Sequence, residues 1–96
     1  MSMKEAYEKK LQGQLDEWSA EIDSLKAKAD KVEGDAQVEY YKQVEELRSM
    51  QQVANENLVE LKDSSDNAWE DLKAGMDSAW HSLENAVSSA KKRFES

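Results

Sequence analysis

The stretch KDSSDNAWEDLKAGMDSAWHSL, residues 62–83, holds both a break signal and a repeat. Ser64, Ser65, Asp66 and Asn67 are four consecutive residues of the kind that caps a helix N-terminus. Glu70 and Asp71 follow where the first turn of a new helix would place acidic groups, and Asn67 with Glu70 partly matches a capping box. The spacing predicts a turn at about residues 63–66. A continuous helix is the alternative, because Leu61, Ser65 and Ala68 keep one apolar phase through the stretch.

Downstream, Ala68-Trp69 and Leu72 recur eleven residues later as Ala79-Trp80 and Leu83. At about 100° per residue, eleven steps return to nearly the same angle, so both tryptophans share a face. The line Ser65, Ala68, Leu72, Met76, Ala79, Leu83, Val87, Ala90 and Phe94 advances by 3, 4, 4, 3, 4, 4, 3 and 4 residues. That period predicts straight or slightly right-handed packing.

Upstream the period differs. Leu11, Leu15, Trp18, Ile22, Leu25, Ala29, Val32 and Ala36 alternate steps of four and three, the heptad of a left-handed coiled coil. Two fours follow (Ala36, Tyr40, Val44), and the line resumes through Leu47, Gln51, Ala54, Leu58 and Leu61. Val38, Tyr41, Met50, Val53 and Val59 lie beside it and widen it, as in a helix that packs against more than one neighbour. The phase carries through Gly34, so one helix over about 3–62 is expected. A second stop at Gly34-Asp35 would instead give three helices of about thirty residues each.

Composition supports an all-α chain. There is no proline, and isoleucine and phenylalanine occur once each, too few for a buried sheet. The 96 residues suffice for one domain, here 1–96. The net charge of −8 repels nucleic acid. The short basic run Lys91-Lys92-Arg93 suits the negative end of a helix dipole. Cysteine is absent, which removes disulfide and thiolate chemistry and fits a reducing compartment. No apolar run reaches the ~20 residues of a membrane span, so a cytoplasmic protein is the default expectation.

Catalytic and cofactor signatures are missing. His81 is the one histidine, so no zinc or transition-metal set is expected. Neither a calcium loop, a P-loop nor a dinucleotide fingerprint occurs. The carboxylates lie along solvated faces, without the concave site that separates the pKa values of an acid–base pair. A non-enzymatic protein with no cofactor is the expectation.

Three segments carry a resemblance: Leu11-Gln12-Gly13-Gln14-Leu15-Asp16-Glu17-Trp18, Glu39-Tyr40-Tyr41-Lys42-Gln43-Val44-Glu45-Glu46-Leu47-Arg48, and Ala68-Trp69-Glu70-Asp71-Leu72-Lys73-Ala74-Gly75. Together they resemble a family of small bacterial coiled-coil proteins associated with stress responses. The resemblance implies a cytoplasmic, non-enzymatic role and helical oligomers, and it supplies no catalytic residue. Gly34 departs from it, standing where a helix former is expected. Residues 54–94 are more weakly similar to the eleven-residue amphipathic repeats of apolipoproteins and of desiccation-protective proteins.

The architecture expected is a long coiled-coil helix with a shorter one, about 66–94, folded back along its C-terminal half as a helical hairpin. That hairpin leaves the N-terminal heptads uncovered, so a second chain should cover them. A homo-oligomeric bundle follows, with a dimer favoured. Its packing residues are Leu11, Leu15, Trp18, Ile22, Leu25, Val32, Leu47, Leu58, Leu61, Trp69, Leu72, Trp80 and Leu83. The expected function is a self-associating structural or interaction protein, with a stress link. A lipid-surface binder is the rival, disfavoured because membrane-surface helices usually carry basic polar faces.

Overall fold

Why does the chain turn twice rather than once? The computed structural model describes residues 2–95. It has three helices of nearly equal length: α1 (Met3–Asp30), α2 (Asp35–Asp63) and α3 (Ala68–Glu95). They run up, down and up, each packing against the other two, in a rod of 52 × 18 × 18 Å. No strand occurs among the described residues.

The first turn corrects the expectation of one helix over 3–62. α1 ends at Asp30, and the N–H of Lys31 bonds back to the Ala29 and Lys28 carbonyls. Gly34 then takes φ 75° and ψ −153°, the one positive φ among the described residues. A side chain is strained there, so glycine permits the reversal. Residues of α2 hold the end of α1. Gln37 Nε2 donates to the Ala29 carbonyl at 3.3 Å, and the Tyr41 hydroxyl donates to the Asp30 carboxylate. The Gln37 bond reaches a carbonyl in the last turn of α1, where a helix C-terminus leaves acceptors open, and the Tyr41 bond ties down the last side chain of that helix. An apolar period cannot report them.

The second turn lies at Ser64–Asn67, where the capping residues cluster. Ser64 bonds back to the Leu61 carbonyl through both its N–H (3.1 Å) and its hydroxyl (2.6 Å). Ser65 does the work of an N-cap: its Oγ accepts from the Ala68 N–H at 3.2 Å. The Lys4 ammonium, from the start of α1, donates to the Lys62 and Ser64 carbonyls at 3.1 and 2.6 Å. It therefore places a cation at the negative end of α2.

The third helix buries Trp69, Met76, Trp80, Leu83, Val87 and Ala90. Leu72, Ala79 and Phe94 of the eleven-residue line are half-buried against that core. With the exposed Lys73 in one slot, the buried residues also step 4, 3, 4, 3, 4 and 3, the spacing of a heptad. Eleven is four plus three plus four, so a repeat of eleven is also read by a heptad seam over one repeat. Packing centres both indoles, and Leu72 lies at the half-buried edge. The Lys73 slot lies over Tyr7, with Nζ 5.5 Å from the ring centroid.

The core is contributed by all three helices. Ile22, Ala29 and Leu61 have no solvent exposure, and Leu58, Leu83 and Val87 are at 1%. No buried side-chain nitrogen or oxygen among the described residues lacks a hydrogen-bond partner. Such satisfaction matters because an unmet buried polar group costs roughly 1–3 kcal/mol.

Candidate interaction surface

Most of the residues expected to pack meet inside one chain, including Leu15, Trp18, Ile22 and Leu25, which were expected to face a second chain. Leu11, Leu15, Trp18, Ile22 and Leu25 of α1 pack in one cluster with Leu47, Leu58 and Leu61 of α2 and with Trp69, Trp80 and Leu83 of α3. Leu72 is half-buried at its margin, and Val32 lies half-buried in the first turn. The exposed N-terminal stripe that implied a second chain is thus covered by α2 and α3 of the same chain.

Polar contacts set how α3 sits on α1. The Trp80 indole N–H donates to the Leu11 carbonyl at 3.2 Å, in a buried position. Tyr7, four residues before Leu11, continues the α1 stripe and is buried. Its hydroxyl donates to the Asp77 carboxylate and lies 3.3 Å from the Lys73 carbonyl, while its ring is tilted against Trp69. Burial first, then the hydrogen bond and the negative charge of Asp77, push the Tyr7 hydroxyl well above the usual phenol range. Lys91 pairs with Glu21 at 3.2 Å further up the same interface. Tyr7 was missed in the sequence because a hydroxyl-bearing ring next to charged residues does not extend an aliphatic line, although its spacing from Leu11 was the signal.

What packing leaves uncovered is a long groove between α2 and α3. Its centre is apolar, formed by Met50, Val53 and Ala54 of α2 against Ala79, Ser82 and Leu83 of α3. Val53 remains 54% exposed, although it is a branched aliphatic residue. Towards the top the groove continues from Met50 to Ala86, Ser89 and Arg93. Towards the bottom, on the same α2–α3 side, a separate and shallower depression lies beside Val59, Ala68 and Leu72. The sequence reading had found Met50, Val53 and Val59 beside the α2 stripe, but only the three-helix packing shows that Val53 and Val59 stay exposed while Met50 is half-buried against the core.

The groove is edged by charge of mainly one sign. Glu46 and Arg93 lie at its upper part, and Glu56, Glu60, Asp63 and Asp71 line the depression below it. Among the described residues no group of three or more His, Cys, Asp or Glu is placed to hold a metal ion. No helix among the described residues is long and apolar enough to cross a membrane. Comparison of the chain with protein-family models, curated proteins and solved structures finds no match.

Proposed function

We propose that this protein is a non-enzymatic interaction module: a helical bundle that docks another polypeptide along its α2–α3 groove. The observation that carries the reading is the uncovered apolar centre of that groove, with Val53 half in solvent beside Met50 and Ala79. Uncovered apolar surface edged by polar residues is the usual mark of a binding face. Self-association, expected from the sequence, is the competing occupancy of the same groove, and sedimentation equilibrium separates the two. The resemblance to stress-associated coiled-coil proteins adds a cytoplasmic, stress-linked role as its setting.

The lipid-surface reading is less well supported. Trp69 and Trp80 are 6% and 3% exposed, so a membrane would meet them only after the bundle opened.

Site-specific photocrosslinking tests the proposal. A photoreactive residue at Val53 should give discrete adducts in native-host cells, while one at the exposed Lys28 of α1 should not. Equal labelling from both sites, or none from Val53, would remove the groove from the function.

A further inference from the structure

Resting on the reading of the groove as a docking face, we infer that its occupant is a cationic amphipathic helix of another protein. The inference rests on the shape of the groove and the charge at its edges.

The length fits a helix. From Glu46 to Asp63 on α2 the groove and the depression below it run about 26 Å at 1.5 Å per residue, the length of a five-turn helix. Ala54, Ala79, Ala86 and Ser82 give the groove lining several short side chains above the buried Leu47 and Leu83, which lets another helix approach. Met50, Val53 and Leu72 supply the apolar contact such a helix would bury. This is the helix-in-groove mode of recognition, read by apolar anchors at i, i+3, i+4 and i+7.

Charge selects the partner. Five carboxylates line the groove and the depression below it against one guanidinium, and the lower part carries four carboxylates, with the Lys4 ammonium bonded to the Ser64 carbonyl at its end. A second copy presenting the same groove would bring like charge to like charge. An anionic helix would meet the same repulsion. A helix with lysine or arginine flanking its apolar stripe complements the acidic edge, and docking it removes repulsion among Glu56, Glu60, Asp63 and Asp71.

The test uses the full chain and three synthetic peptides of about 18 residues. One carries leucine at helical spacing with lysine elsewhere, one replaces lysine by glutamate, and one scrambles the lysine peptide at constant composition. Isothermal titration should show binding of the ordered lysine peptide that weakens as salt rises. The glutamate and scrambled peptides should bind at least about tenfold less tightly.

Two triple variants separate the groove from overall acidity. Neutralising Glu56→Gln, Glu60→Gln and Asp71→Asn together should cost about tenfold in affinity. Neutralising Glu17→Gln, Glu33→Gln and Glu84→Gln, which do not line the groove, should change it less than about twofold. Filling the groove with Ser82→Trp, at an exposed position, should abolish binding while circular dichroism stays unchanged.

Equal losses from both triples, or equal binding of ordered and scrambled peptides, would overturn the inference. So would preferred binding of the glutamate peptide, or uptake of the chain by phosphatidylcholine vesicles with no peptide binding. If no peptide binds but the chain self-associates in sedimentation equilibrium and Ser82→Trp prevents it, the cationic-helix inference fails and the docking reading survives. If no peptide binds, the chain is monomeric and Val53 gives no adducts, both fail.

Discussion

The indole N–H of Trp80 donates to the Leu11 carbonyl, joining two residues 69 positions apart at the buried face between α3 and α1. That bond fixes the rotation of α3, because a tryptophan elsewhere on the helix face would leave its N–H without a partner. It also assigns the eleven-residue repeat a role in packing. Trp80→Ala should cost about 3–5 kcal/mol in urea unfolding, the range for aromatic truncation in a core. Trp80→Phe keeps most of the apolar contact and should cost less. A loss under about 1 kcal/mol for Trp80→Ala would place the ring outside the core.

Gly34 should resist substitution. Its φ of 75° with ψ −153° lies in a region that essentially only glycine occupies. Gly34→Ala should destabilise by about 1–3 kcal/mol, with a melting temperature lower by roughly 4–8 °C per kcal/mol. An unchanged or higher melting temperature would mean that the first turn does not form there.

Ile22 tests whether the α1 seam closes within one chain. It has no solvent exposure, so Ile22→Asp buries a charge among Leu, Val and Trp side chains. The loss should be roughly 4 kcal/mol and should appear as lost helicity at every protein concentration. A variant that stays folded but sediments at lower mass would make the seam intermolecular instead.

Tyr7 gives the bundle an alkaline limit. Its folded pKa is raised above the unfolded value, first by burial and then by Asp77. Its stabilising contribution is therefore complete below the unfolded pKa of about 10 and is lost as pH rises from there towards the folded pKa. Between those two values the unfolded chain has released a proton that the folded chain keeps. Stability measured from pH 9 to 11 should fall less steeply in Tyr7→Phe than in the parent. Parallel curves would show that the Tyr7 hydroxyl is not held neutral by the fold.

Ser65→Ala should remove the bond to the Ala68 N–H and cost about 1 kcal/mol. Ser64→Ala should also weaken this turn, since Ser64 Oγ bonds the Leu61 carbonyl. If neither variant changes the urea midpoint, the start of α3 is fixed by packing alone.

Helical content, the α1 and α2 stripes and the second turn were legible because each is written locally. Leu11 to Leu25 show their period directly, and Ser64–Asn67 concentrate capping groups. The first turn was legible only as an alternative: Gly34-Asp35 marks a second stop, but Ala29, Val32, Ala36 and Tyr40 stay in helical phase across it and favour one helix. What ends α1 is the backbone angle of Gly34 and the reach of Gln37 and Tyr41, which are tertiary facts. The groove was half legible. Met50, Val53 and Val59 stood out as surplus to the α2 stripe, but their exposure depends on where α3 lies.

The two links are short, Lys31–Gly34 and Ser64–Asn67, so α1 meets α2, and α2 meets α3, by closing tight loops. The widest sequence separations lie on the α1–α3 face, through Tyr7 with Asp77, Trp80 with Leu11 and Lys91 with Glu21, pairs 69 or 70 residues apart. Contacts of low sequence separation close with little entropy loss, and helical bundles of this kind fold in microseconds to milliseconds. Either neighbouring pair can therefore zip first, and docking of α3 on α1 completes the landscape. Substitutions at Trp80 and Tyr7 should then speed unfolding more than they slow folding.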